Sequence, residues 1–244
     1  MANEELSKSK LYKAFETFGN IFALNVIFVV FSLPILTLGA SVTAMYSVTI
    51  KMVKNEEGSI FKSFFEAFKS NFKKATLIWL ILIVAGVVLF GEFLYIISFQ
   101  GIIVSFYIVL LIVELVVIAF TLPFLFPLCA RYENTVINTI KNAFLLSVSN
   151  FGSWLKIALA WFAPITLTVI YPIIFLYTWY LWLFVIFALI AYGTSFTIRK
   201  VFDKVTVTQE EQEIKKEEEK AKANTNKKSL KERMEQFDKK NKED

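Results

Sequence analysis

Apolar positions run almost unbroken from Gly19 to Ile198, and the polar positions that interrupt them gather in a few short segments. A helix needs about 20 apolar residues to cross a hydrocarbon core. Ala75–Phe99, Ile102–Ala130 and Leu155–Leu176 meet that length, and Leu181–Ile198, though shorter, falls within the usual range. Two shorter stretches, Asn20–Leu33 and Thr37–Val53, precede them and are separated by Pro34. Fourteen helical residues rise about 21 Å, against a core of about 30 Å. The pair therefore reads either as two short, tilted spans or as a re-entrant hairpin. We place a helical hairpin here, turning near Pro34–Gly39. The pattern as a whole then predicts an all-α, polytopic transmembrane bundle of about six membrane helices. A five-span arrangement with the N-terminus outside is the competing layout. Gly39, Ala40, Ser41, Thr43 and Ala44 give the second arm a face of small residues suited to close packing in lipid.

Two polar segments carry a helical period of their own. In Ser59–Lys73, Ile60, Phe61, Phe64, Phe65, Phe68 and Phe72 trace one face, and Lys62, Glu66, Lys69 and Lys73 the other. This pattern predicts an interfacial helix over residues 59–73 with Phe61, Phe64, Phe65 and Phe72 turned toward the membrane. Residues 134–150 repeat it more weakly through Val136, Ile137, Ile140 and Phe144. Glu66-Ala67-Phe68 against Asn142-Ala143-Phe144, and Ser32-Leu33-Pro34 against Thr121-Leu122-Pro123, read either as an internal duplication or, since the spacings differ, as a coincidence of membrane-protein composition. The chain thus divides into an N-terminal segment (1–18), a membrane domain (19–204) and a charged tail (205–244). The tail is rich in Glu, Lys and Ala, and Ser229-Leu230-Lys231-Glu232 has the form of a capping box. It reads as a solvated, partly helical segment, with a docking helix as the functional alternative.

Charge orients these pieces. Residues 1–204 carry 15 Lys and Arg against 10 Asp and Glu, and residues 205–244 carry 11 of each, so the whole excess of +5 lies in the membrane domain. Its basic residues flank the spans. The turns around Gln100 and from Tyr177 to Tyr180 are uncharged, whereas Lys51–Lys74, Arg131–Lys156 and the segment after Ile198 are basic. By the positive-inside rule both termini and the basic loops face the cytoplasm. Basic residues placed this way orient a membrane protein and do not form the basic stripe of a nucleic-acid binder. Trp79, Tyr95, Tyr132, Trp154, Tyr177, Trp179, Tyr180 and Trp182 stand near predicted helix ends as interfacial belts.

Little in the composition supports catalysis. The chain has no His and a single Cys, Cys129. That removes His-dependent nucleophilic sites, an internal disulfide and multi-Cys metal sites. Cys129 reads as a small buried hydrophobe. No phosphate-binding loop, dinucleotide fingerprint or nucleophile elbow occurs. We expect a non-enzymatic protein with no cofactor and no metal. Glu114, amid Leu111, Ile112, Val113, Leu115, Val116 and Val117, is the chemical exception. An acid at that depth costs about 2.5–3.5 kcal/mol on insertion scales and is a candidate functional group. The plainer reading is a protonated Glu bonded to a neighbouring hydroxyl. Glu92 reads as interfacial. Pro164 and Pro172 are expected to kink Leu155–Leu176.

Phe31-Ser32-Leu33-Pro34-Ile35-Leu36-Thr37-Leu38-Gly39-Ala40-Ser41 with Ala44-Met45-Tyr46 resembles the hallmark of the YesL-like bacterial membrane proteins. Phe64-Phe65-Glu66-Ala67-Phe68-Lys69-Ser70-Asn71-Phe72 resembles that family's second block. The likeness singles out Pro34, Thr37, Gly39, Tyr46, Phe68 and Asn71 as motif residues. It implies a multi-pass plasma-membrane protein of Gram-positive bacteria, of no established molecular activity. Members of the family are often encoded beside carbohydrate uptake systems, which implies an accessory or regulatory part in sugar uptake. The expected partners are the lipid bilayer and a transport subunit or cytoplasmic protein meeting residues 59–73 or the tail. The alternative is a small-molecule permease working through Glu114.

Overall fold

The computed structural model describes residues 2–56 and 58–207, with side chains from residue 11 onward. The described residues are helical and contain no strand. The elements are α1 (Ala2–Ser32), a 3-10 turn (Ile35–Thr37), α2 (Leu38–Met52), α3 (Ile60–Ser98), α4 (Ile102–Arg131), α5 (Val136–Ser149), α6 (Phe151–Ile170) and α7 (Pro172–Leu181). A π-helical stretch, Trp182–Ile186, follows, and α8 occupies residues 187–207. Six helical segments are long and apolar enough to cross a membrane. Their outer surfaces are covered with exposed Leu, Ile, Val and Phe. In water such a surface would be an aggregation hazard; in lipid it is the expected exterior. The chain is an all-α, multi-pass integral membrane protein.

By compactness the chain forms two units, Met1–Arg199 and Lys200–Asp244. In the first unit the core is built around α2. Its buried positions are mostly small or polar: Gly39, Ala40, Ser41, Thr43, Ala44 and Thr49. Lipid solvates apolar helices as well as another helix does, so close approach and hydrogen bonding must hold the bundle together. At Gly39 the approach is closest. A Cβ there would stand 2.6 Å from the Ala75 carbonyl oxygen and 2.6 Å from the Trp79 Cβ. In the second unit the helix continues to Val207, where the Thr206 hydroxyl donates to the Phe202 carbonyl at 3.0 Å.

Several expected boundaries move. Residues 59–73 do not form a separate interfacial helix. They are the first part of the 39-residue α3, which runs through Lys73 and Lys74 into the membrane span. No Pro or Gly stands at that junction to stop the helix. The turn expected at Tyr177–Tyr180 is helical, and the break falls at Tyr171 (φ −119°, ψ 82°). A residue before proline is driven out of the α region. Pro172, which needs no N–H partner at a helix start, therefore opens α7 instead of kinking α6. Pro164 remains inside α6, and Pro123 and Pro127 lie inside α4. α5 occupies the second amphipathic segment, its N-terminus capped by the Thr135 hydroxyl, which accepts from the Asn138 amide. The candidate capping box at Ser229 lies outside the described residues.

Candidate functional site

The turn from α1 into α2 sets the geometry of the site. Non-helical backbone at membrane depth is tolerated only where its polar groups are answered. Thr37 answers most of them. Its hydroxyl lies 2.6 Å from the Phe31 carbonyl and 2.8 Å from that of Pro34, and its amide donates to the Pro34 carbonyl at 2.9 Å. The Trp79 indole donates to the Ile35 carbonyl at 2.7 Å. Pro34, Thr37 and Gly39 thus act in concert. Pro34 breaks the helix, Thr37 satisfies the break, and Gly39 seats α2 against α3.

From the midpoint of α2 onward, a polar network crosses the bundle. The Trp161 indole on α6 donates to the Tyr46 hydroxyl at 2.7 Å. That hydroxyl lies 3.4 Å from the Thr194 Oγ1 on α8. Thr49 and Ser195 share a hydrogen bond of 2.8 Å, and the Arg199 guanidinium reaches the Val53 carbonyl at 3.3 Å. α2 and α8 therefore run side by side in the same sense. Tyr46 is only 3% exposed.

A second clamp lies at the π-helical stretch. Asn25 on α1 is fully buried. Its amide donates to the carbonyls of Trp182 at 3.1 Å and Leu183 at 2.8 Å. Its Oδ1 accepts from the Ala188 amide at 2.8 Å. A π turn disturbs the regular i to i−4 pairing, and Asn25 satisfies the groups set free. Stacked Phe22 and Phe184, and tilted Phe28 and Phe187, flank the clamp. Asn25 stands inside the first apolar stretch, so its polarity was the available sign that something opposite needed hydrogen bonds.

Between these clamps lies a cavity of about 600 Å³. Its walls come from α1, α2, α4, α6 and the start of α8, and include Phe28, Val42, Phe126, Ala158 and Phe162. They are almost wholly apolar; Ser32, Tyr46 and Trp161 are the exceptions.

The remaining candidates lie elsewhere. Phe64 is fully buried, and packs with Phe68 against Phe31. Phe61 and Phe65 are exposed, and Phe72 is partly so. The aromatic face is thus divided: Phe64 belongs to the core and does not point toward the membrane. Asn71 donates to the Ala67 carbonyl at 3.0 Å and lines a polar cleft of about 780 Å³ with Lys51, Lys74 and Arg131. In that cleft the Lys74 ammonium reaches the Tyr132 carbonyl at 2.8 Å, and Cys129, buried, lies nearby. Glu92 is packed inside the bundle. It is 7% exposed, and one carboxylate oxygen has no partner among the described residues. Glu114 on α4 is half-buried. Among the described residues no cluster of His, Cys, Asp and Glu could hold a metal ion.

The model of a family described as a protein of unknown function, DUF624, matches residues 21–93. The match takes in Asn25, the turn at Pro34–Gly39, Tyr46, the Phe64–Phe68 cluster and Glu92. No curated protein and no solved structure matches the chain.

Proposed function

We propose that this chain is a non-enzymatic accessory or regulatory component of a bacterial transport system, associated with carbohydrate uptake. Its place would be the plasma membrane, with both termini cytoplasmic, among the YesL-like proteins that its turn and Phe blocks resemble. The apolar cavity is the observation that carries the accessory reading over a carrier reading. A sugar entering it would leave most of its hydroxyls without partners, and each buried unsatisfied polar group costs about 1–3 kcal/mol. Of the polar groups that reach the interior, Asn25, Thr49 and Ser195 are engaged within the bundle. Exposed Phe61 and Phe65 on the basic stretch of α3 supply a contact surface for a transport subunit. Capture of the tagged protein from its own membranes should recover transport-system subunits, and Phe61→Ser with Phe65→Ser should release them. Sugar flux catalysed by the purified protein alone in vesicles would overturn the reading.

Buried Glu92 on α3 and half-buried Glu114 on α4 favour one alternative, a proton-coupled permease for a small molecule. Acids inside a membrane characteristically mark proton or ion paths. In that case Glu114→Gln abolishes uptake driven by a proton gradient. Uptake that persists in this variant removes the alternative.

A further inference from the structure

We propose that the cavity between α1, α2 and α6 is a binding site for one acyl chain of a membrane lipid. Such a site is independent of the accessory role and follows first from the shape of the cavity. Leu38, Val42 and Tyr46 on α2 line its length at intervals of one helical turn, a span of about 12 Å. Ile157, Trp161 and Ile165 on α6 cover the same length from the other side. The hydrogen-bonded Tyr46–Trp161 pair stands in its wall, one turn of α6 from Ile157. At the end nearer the turn stand Ser32 and Leu33.

The surroundings identify the source of the ligand. Leu33 is 74% exposed, and Phe162 and Ile165 on the rim are also exposed. In a membrane these residues face hydrocarbon, so what reaches the mouth is a lipid tail. The volume of about 600 Å³ falls within the usual range for small-molecule sites, roughly 300–1,000 Å³.

The test uses the full chain in phosphatidylcholine vesicles doped with a phospholipid bearing a diazirine in mid-chain. Labelled residues are mapped by mass spectrometry, and a diazirine-bearing prenol is run in parallel. We expect labels concentrated on Val42, Ile157 and Ala158 over the lipid-facing Ile108 and Val109. Filling the cavity with Ala158→Phe, or separately with Val42→Phe, should remove the inner labels and leave the outer ones. Equal labelling of inner and outer positions in the unaltered protein overturns the proposal even if neither filled variant folds. It is also overturned if folded, filled variants keep the inner labels, or if the prenol labels the cavity and the acyl chain does not.

Discussion

At Gly39 a single hydrogen atom decides how closely two helices approach. Gly39→Ala would set a methyl group 2.6 Å from a backbone oxygen and 2.6 Å from the Trp79 Cβ. Backbone cannot swing aside as a flexible side chain can, so α2 must shift from α3. Overpacking of this kind costs about 1–3 kcal/mol, and unfolding in detergent should show that loss. Gly86→Ala, where nothing lies within 4 Å of the added atom, should cost nothing. The same scale governs Tyr46. Tyr46→Phe keeps the ring and removes the acceptor for the Trp161 indole. The expected loss is about 1 kcal/mol, with an upfield shift of the Trp161 indole proton. An unchanged indole resonance would mean that this bond does not form in the membrane. The run of small residues at Gly39–Ala44 already announced close packing. Tyr46 was visible only through a family likeness, because its partners stand 115 and 148 residues away.

Among the elements, the helix period of residues 59–73 is real, but what ends that helix lies beyond the period. An amphipathic face describes the environment of each turn and is silent about where the next segment points. With no stop signal at Lys73–Ala75, α3 continues, and its Phe face passes from the core at Phe64 to the exterior at Phe65. Spin labels at positions 69 and 80 should therefore lie about 16 Å apart along a continuous helix; a scattered distribution would restore a hinge. The π-helical stretch had no comparable sequence signal, since Trp182–Ile186 reads as ordinary apolar helix. The signal was on the partner, where Asn25 interrupts an apolar run. Asn25→Leu would leave the carbonyls of Trp182 and Leu183 and the amide of Ala188 without their partner. It should lower stability by about 1–3 kcal/mol and speed amide exchange at Ala188. Exchange that stays slow would show that the π turn holds itself.

For the molecule as a whole, the distribution of charge and the hydrogen bonding of the turn lead to the same question of depth. Lys51, Lys74 and Arg131 come from three helices to one polar cleft, as sorting of basic residues to one face of a membrane requires. From that level, Ile35–Met52 extends 18 residues, or about 27 Å, which is marginal for a core of about 30 Å. The turn at the far end carries exposed Leu33, Ile35 and Leu36 and no charge. Its carbonyls are answered by Thr37 and Trp79. A turn built in this way can sit among hydrocarbon instead of emerging into water, which is the re-entrant solution to the short first stretches. Cysteines placed singly in a Cys129→Ala background provide the check. Residues 100 and 171 should react with a membrane-impermeant maleimide from one side, and residues 55 and 134 from the other. Residue 36 should stay unreactive until detergent is added. Labelling of residue 36 from the same side as residues 100 and 171 would instead make α1 and α2 complete crossings. The carbonyl contacts at Thr37 and Trp79 would then serve to tighten a turn that water could have satisfied.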